Sequence, residues 1–151
     1  MEQQKCPLTK HERILAPIDG SDYSEKALDQ AISLAKECAS KLYLLTVVYQ
    51  NPEYFTEVPA LSEQQGKEAR EFLERARKKA AKENVPCELL IHTGEQPHEF
   101  IIQEARDKKI DLIVMGSHGR TGLKRMLMGS VTAKVIGYAP CAVMVIPRAA
   151  S

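Results

Sequence analysis

Residues 112–132 read LIVMGSHGRTGLKRMLMGSVT, and this stretch decides the fold. Its first four residues are all apolar, which predicts a strand that is buried on both faces. The glycine-rich segment after them predicts a loop, and the pattern from Ser130 onwards predicts a short helix. Glycines between a strand and a helix let backbone N–H groups approach an anion closely, so the stretch predicts a phosphate-binding turn.

Charge is distributed unevenly around this loop. No Asp or Glu follows Asp111, whereas five basic residues do: Arg120, Lys124, Arg125, Lys134 and Arg148. The chain as a whole carries a formal net charge of only +1. The basic surplus beside the glycines therefore favours a phosphate-bearing ligand, while the near-neutral total argues against general binding of nucleic acid.

Length and composition predict a single domain over residues 1–151, with a loose N-terminal tail over residues 1–12. No apolar run approaches the ~20 residues that a membrane span needs, and the polar N-terminal segment does not resemble a secretory signal. The four cysteines are scattered and form no C-x-x-C pair: Cys6, Cys38, Cys87 and Cys141. We therefore expect a reduced, cytoplasmic protein without a metal site and without membrane contact.

Apolar runs alternate with helical patterns along the chain. Strands are predicted over residues 14–18, 42–48, 85–91, 110–115 and 141–146. Helices are predicted to begin at Asp22, where Glu25 completes a capping box, at Ser62 after a loop over residues 49–61, at Pro97 and at Ser130. Strands separated by helices predict an α/β fold, namely a doubly wound parallel sheet with helices on both faces.

Ligands of such sheets bind outside the carboxyl ends of the strands, where the strand order reverses. The predicted first strand runs into Asp19, and the fourth ends at Gly116. If these strands adjoin, their polar exits share one crevice. A carboxylate at position 19 can accept two hydroxyl hydrogen bonds there, and Ser130 opens a helix whose N–H groups face an anion. His118 and Arg120 lie in the loop, within reach of a phosphate, and their roles stay open.

Neither standard nucleotide fingerprint is present. The P-loop pattern G-x-x-x-x-G-K-[ST] matches nowhere, because Gly122 is followed by Leu123. The spacing Gly116-x-x-Gly119-x-x-Gly122 is not the dinucleotide pattern G-x-G-x-x-G, and it follows a late strand. A P-loop NTPase and a nicotinamide-dependent dehydrogenase are therefore disfavoured.

The chain instead combines Gly-x2-Gly-x9-Gly-Ser, from Gly116 to Ser130, with Ile14-Leu15-Ala16-Pro17-Ile18-Asp19-Gly20-Ser21. Together these motifs resemble the universal stress protein family, and the resemblance covers nearly the whole chain. It implies a Rossmann-like five-stranded parallel sheet of order 3-2-1-4-5. In the branch that carries these glycines it also implies ATP binding, with or without Mg²⁺, and homodimers.

The resemblance also implies a set of site residues. Asp19 would bind the ribose hydroxyls, and Ala16, Pro17 and Val47 would line the adenine pocket, with Ile18 beside them in the same motif. Met115 and Gly116 would flank the adenosine. The phosphates would be held by the remaining residues of the glycine motif and the helix start: Gly119, Gly129, Ser130, Val131 and Thr132.

Each motif also has a plain structural interpretation. Residues 17–21 alone are a turn with a helix cap, Gly129-Ser130 alone is a helix start, and Lys124-Arg125 alone is a solvated surface. Their convergence at one edge of one sheet favours a nucleotide site over these separate interpretations.

Three functions stay open. The first is an ATP-binding stress-response or regulatory protein that acts as a nucleotide-dependent dimeric switch. The second is a slow ATP hydrolase or an autophosphorylating phosphotransfer protein in which Ser130 or Thr132 accepts phosphate. The third is a nucleotide-free dimeric module that binds partner proteins the sequence does not name. The intact glycine spacing disfavours the third, and the lack of an acidic residue in the loop disfavours a true enzyme.

The last predicted strand suggests how a dimer forms. Residues 141–146 are six consecutive apolar residues without a charge to protect a sheet edge. In the strand order that the resemblance implies, this strand lies at an edge, where an open apolar ladder invites pairing. We expect it to pair with the same strand of a second chain across a two-fold axis.

Overall fold

The computed structural model describes residues 11–50, 59–119 and 128–147, with backbone alone for residues 59–62. Strands and helices alternate strictly along the chain. Their bounds are β1 Arg13–Pro17, α1 Asp22–Cys38, β2 Lys41–Tyr49, α2 Pro59–Lys82, β3 Cys87–Gly94, α3 Pro97–Asp107, β4 Leu112–Gly116, α4 Ser130–Tyr138 and β5 Ala142–Ile146. The five strands are all parallel in the order β3-β2-β1-β4-β5, which confirms the predicted α/β fold and strand order.

Helices cover both faces of this sheet, and each face has its own apolar cluster. Ile14 and Ala16 of β1 pack with residues of α1 and α2 on one face. Leu15, between them, packs with residues of α3 and α4 on the other face. Successive strand residues point to opposite faces, and here both faces are covered. This is why the central strands read as unbroken apolar runs in the sequence.

The start of α1 differs from the predicted capping box at Asp22 and Glu25. The N-cap is Ser21, whose hydroxyl accepts a hydrogen bond from the backbone N–H of Ser24. Gly20 precedes it with a φ of 81°, in the left-handed region that glycine adopts without strain. The N-cap of α1 therefore lies one residue earlier than the capping-box pattern indicates.

The helix after β2 also begins earlier than predicted. α2 starts at Pro59 instead of Ser62, and β2 runs on to Tyr49. Proline suits a first helical turn because its missing N–H would have no intrahelical partner there. The rest of the predicted loop, residues 51–58, lies outside the described residues. Bounds of the strands shift by one to three residues from those predicted, while α3 and α4 start where expected.

The predicted tail over residues 1–12 lies outside the described residues except for His11 and Glu12. Both are tied to the sheet: Ser40 Oγ donates to the His11 carbonyl, and the Glu12 N–H donates to Asp111 Oδ2 over 2.8 Å. The same carboxylate oxygen accepts from the N–H of Arg13 at 3.2 Å. Asp111 therefore fixes the start of β1 against the start of β4, although the two strands are far apart in the sequence.

The cysteines depart in part from the expectation of reduced thiols. Cys38, at the end of α1, is disulfide-bonded, whereas Cys87 and Cys141 are free. Burial raises the pKa of the Cys87 thiol to about 11 and also raises that of Cys141. A thiol of raised pKa is a poor nucleophile, so these two residues act as small core residues.

Candidate functional site

A cleft opens at the carboxyl ends of β1 and β4, which are neighbours in the sheet. Crossovers leave in opposite directions on either side of this pair, so the cleft is at the switch point of strand order. It encloses about 590 Å³, including its open mouth.

Most of the residues predicted for the site do line this cleft. They are Pro17, Ile18, Asp19, Val47, Met115, Gly116, His118, Gly119, Val131 and Thr132. Three others do not line it, and one lies outside the described residues. Ala16 is fully buried in the cluster under α1. Gly129 and Ser130 stand at the start of α4 and are not among the lining residues, and Arg120 lies outside the described residues.

Four further residues line the cleft that the sequence did not single out: Ser24, Leu45, Pro97 and Ile101. Leu45 pairs with Pro17 in the parallel register of β1 and β2 and so reaches the same cleft wall. Pro97 and Ile101 belong to the first turns of α3, which packs against the same face of the sheet. Strand register and helix placement put these residues there, and neither is readable from a single sequence.

The carboxylate of Asp19 is anchored on one side. Its Oδ1 accepts hydrogen bonds from the backbone N–H of Ser21, at 2.9 Å, and from the Ser21 hydroxyl. Its backbone N–H donates to Ser24 Oγ over 3.3 Å. Asp19 is the single formally charged side chain among the described residues that line the cleft. A hydroxyl-bearing ligand would therefore find one fixed acceptor here.

Glycines 119 and 129 bring backbone close to the cleft. A Cβ at position 119 would lie 3.0 Å from Asp19 Oδ2, and one at position 129 would lie 3.3 Å from the Ser117 carbonyl oxygen. The N–H of Gly129 donates to that carbonyl over 2.7 Å. Gly129 has an ordinary φ of −69°, so close approach, and no special backbone angle, is the reason for glycine there.

Gly116 and Thr132 join three elements around the cleft floor. A Cβ at Gly116 would lie 2.8 Å from Tyr23 Cβ, so the end of β4 touches the first turn of α1 directly. The hydroxyl of Thr132, only 3% exposed, donates to the Gly116 carbonyl over 2.9 Å. This contact fixes the first turn of α4 against the end of β4.

His118 stands at the cleft wall beside Ser117 and Tyr23. Its Nδ1 lies 2.9 Å from Ser117 Oγ, and its ring centroid lies 5.1 Å from that of Tyr23. The ring is thus held by neighbours on both sides. The sequence predicts that His118 lies within reach of a phosphate, and in the structure this residue lines the cleft.

The cleft is suited chemically to a ligand with an apolar ring and a polar arm. Pro17, Leu45, Val47, Ile101 and Met115 offer an apolar wall. The Asp19 carboxylate can accept hydrogen bonds from hydroxyl groups. Backbone N–H groups of the glycines and of the α4 N-terminus can bind a negatively charged group. Within residues 11–50, 59–119 and 128–147, no group of three or more His, Cys, Asp or Glu side chains is placed to hold a metal ion.

A model of a known protein family matches nearly the whole chain. The model of the universal stress protein family matches residues 10–147, which include every strand and helix described above. The chain belongs to the universal stress protein family. Its glycine loop, its Pro17-Ile18-Asp19 segment and its strand order are thus features of a universal stress protein.

Relatives of this universal stress protein support the same assignment. Universal stress protein YxiE of Bacillus subtilis is 38% identical over 147 residues, covering 89% of this chain and 97% of the relative. Universal stress protein MJ0531 of Methanocaldococcus jannaschii is 38% identical over 144 residues, covering 91% and 83%. The solved structure of universal stress protein UspA from Lactobacillus plantarum superimposes with a TM-score of 0.83 at 28% identity, covering 91% and 99%.

Two solved structures of the same fold hold adenine nucleotides. A universal stress protein family protein from Arabidopsis thaliana has AMP bound, and the universal stress protein from Archaeoglobus fulgidus is in complex with dAMP. Each has a TM-score of 0.67 and 23% identity to this chain, covering 92% and 91% of it and 93% and 99% of their own lengths. This likeness is one of fold alone.

Among the helices of the described residues, none combines the length and apolar character that a transmembrane segment needs.

Proposed function

We propose that this universal stress protein binds ATP in the cleft between β1 and β4 and acts as a nucleotide-dependent dimeric switch in a stress response. The proposal includes a cytoplasmic location, where ATP is available. One observation carries it: the Asp19 carboxylate and the backbone of Gly119 line the same cleft side by side, with Asp19 Oδ2 only 3.0 Å from where a Cβ of residue 119 would be.

The proposed pose follows from the chemistry of the walls. The adenine ring would lie against Pro17, Val47 and Met115, which are apolar, because burial of a flat ring is favourable there. The ribose hydroxyls would donate to Asp19, as they do to acidic residues in other nucleotide-binding sheets. The phosphates would extend past Gly119 and Gly129 towards the N-terminus of α4 at Ser130.

Adenine nucleotides in two proteins of the same fold add support for the ligand class. Among adenine nucleotides we propose ATP, because the glycine motif and the basic residues that follow it in the sequence can bind several phosphate groups. Any Mg²⁺ would be held mostly by those phosphates and by water, since hard cations of this size keep several waters.

Phosphoryl transfer is a weaker alternative. Of the two hydroxyls considered as acceptors, that of Thr132 is buried and donates to the Gly116 carbonyl, so it is not presented to a phosphate. Ser130 is exposed at the first position of α4 and stays a candidate acceptor. A timed assay of ADP release and a phosphate count by mass spectrometry separate this alternative from binding alone.

The direct test of ligand identity is mass spectrometry of the protein purified without added nucleotide, followed by calorimetric titration with ATP. We expect an adenine nucleotide to copurify, or ATP to bind after its removal. A protein that releases no nucleotide and gives no heat with ATP would instead be the nucleotide-free module.

Replacing Asp19 with alanine should weaken ATP binding by about 10- to 150-fold, because a hydrogen bond to a charged acceptor contributes about 1.5–3 kcal/mol. Calorimetry of both proteins measures the change. Asp22→Ala is a matched control, since it removes a nearby exposed carboxylate at the start of the same helix. Equal ATP affinity in Asp19→Ala and the unmodified protein would remove Asp19 from the site.

Homodimerisation through the strand at residues 141–146 is part of the proposal. β5 lies at the sheet edge next to β4, and its residues 143–146 are only partly buried within one chain. An unprotected apolar edge of this kind favours pairing with a second copy.

A lysine at Val143 should therefore produce a monomer at micromolar concentration, because pairing would bury its charge without a partner. Light scattering measures the mass. Ile91→Lys, on the opposite edge strand, places the same charge at an exposed apolar position and should leave the dimer intact. An unmodified protein that is already monomeric would refute this interface.

A further inference from the structure

The two oxygens of the Asp19 carboxylate are not equivalent. Oδ1 accepts two hydrogen bonds from a single residue, one from the Ser21 backbone N–H at 2.9 Å and one from its hydroxyl. A carboxylate oxygen has two lone pairs, so Oδ1 is saturated by Ser21. Within the described residues no hydrogen bond to Oδ2 is formed, and this oxygen lies beside Gly119 in the lining of the cleft.

Local backbone geometry holds Ser21 in this position. Gly20 has a φ of 81°, which turns the chain back so that Ser21 reaches the residue two positions before it. The Ser21 hydroxyl also accepts from the N–H of Ser24 as the N-cap of α1. The hydroxyl therefore has its acceptor side engaged by the helix and its proton directed at Asp19.

The first turn of α1 is tied back to Asp19 a second time. Ser24 Oγ donates to the Ser21 carbonyl over 2.9 Å and accepts from the Asp19 N–H over 3.3 Å. Both the backbone and the side chain of Asp19 are thus held by the helix start. Rotation of the carboxylate would break two hydrogen bonds, so its orientation towards the cleft is set before any ligand arrives.

We propose that Ser21 is a positioning residue that makes Asp19 bind its ligand through Oδ2 alone, so that the site distinguishes the two hydroxyls of a ribose. This inference rests on the proposed function. A carboxylate with both oxygens available accepts one hydrogen bond from each of two neighbouring hydroxyls. With Oδ1 saturated, one hydroxyl makes the short bond to Oδ2 and the other contributes little.

The first test compares ATP with its 2′-deoxy and 3′-deoxy analogues by calorimetry on the unmodified protein. We expect one analogue to bind within about threefold of ATP and the other to bind at least about tenfold more weakly, the loss typical of a bond to a charged acceptor. Equal affinity of the two analogues would overturn the role of Ser21 and leave ATP binding intact. No binding of ATP itself would overturn the proposed function.

The second test removes the Ser21 hydroxyl while keeping an acceptable N-cap. Glycine is tolerated at this position, so Ser21→Gly should fold, and Ser21→Ala provides a second variant. The ratio between the two analogues should fall towards one, because Oδ1 then accepts only the backbone N–H of residue 21 and has a lone pair available for the second hydroxyl. Ser21→Thr keeps the hydroxyl and should restore the ratio. A purely structural effect of the cap would weaken all three ligands by the same factor, and that result would overturn the proposal.

A third test uses an amide in place of the carboxylate. In Asp19→Asn the donors of Ser21 would hold the amide oxygen at the Oδ1 position, which places the NH₂ group towards the ligand. This variant should lose as much ATP affinity as Asp19→Ala. Combining it with Ser21→Gly removes the hydroxyl donor and leaves only the backbone N–H of residue 21 to hold the amide oxygen, so the double variant should bind ATP several-fold more tightly than Asp19→Asn. A double variant that binds no better would contradict the positioning role.

Discussion

Replacing Gly119 with valine is expected to reduce ATP affinity by about 100-fold or more, while the protein stays folded. A Cβ at this position would lie 3.0 Å from Asp19 Oδ2, and the two γ-methyl groups of valine would extend further. They would displace the carboxylate and occupy the space proposed for the ribose, so the loss should be at least about 2.7 kcal/mol, near the upper end of the range for a bond to a charged acceptor. Calorimetric titration measures the change.

Stability should barely change in this variant. The Asp19 oxygen is the single described atom within 4 Å of the added Cβ, and no left-handed φ is recorded at position 119. Gly137→Val is the matched control, because a Cβ there meets nothing within 4 Å and the position lies on α4, away from the cleft lining. Normal ATP binding by Gly119→Val would exclude this loop as part of the nucleotide site.

The second large effect is on folding stability, at Gly116. A Cβ on this residue would lie 2.8 Å from Tyr23 Cβ and 3.0 Å from the Tyr23 carbonyl carbon and oxygen. The carbonyl atoms belong to the backbone of α1 and Cβ is bonded directly to it, so none of them can move aside as the tip of a flexible side chain does. Gly116→Val should therefore lower the free energy of unfolding by about 3 kcal/mol, at the upper end of ordinary overpacking costs.

Urea denaturation followed by circular dichroism measures this difference. The same Gly137→Val control should change the free energy of unfolding by less than about 1 kcal/mol, because valine and glycine differ little in helix propensity compared with this contact. A Gly116→Val protein as stable as the control would mean that α1 and β4 do not meet as closely as described.

Much of the fold was predictable because it depends on local patterns. The five apolar runs and the turn residues between them predict the order of elements. Element bounds were less predictable, since Ser21 takes the N-cap through a bond network with Asp19 that no spacing rule contains.

Some residues of the candidate site were predictable from the sequence, and others were not. Asp19 and Gly119 stand out in the sequence because strand exits and glycines carry chemistry. Leu45 and Ile101 do not, because their place in the cleft depends on the register of β1 with β2 and on the packing of α3. The two oxygens of Asp19 differ only through the hydrogen bonds of Ser21, which again requires the folded chain.

The pairing of β1 with β4 has a consequence for synthesis on the ribosome. Asp111 holds the N–H of Arg13, 98 residues before it, and Leu15 pairs with Ile113 in the register of the two strands. At about 5–20 residues per second, a ribosome needs about 5 to 20 s to supply that many residues. The nascent chain can assemble β1, β2 and β3 first, and during that interval β1 is a temporary sheet edge. The cleft at the carboxyl ends of β1 and β4 is completed only when β4 covers that edge.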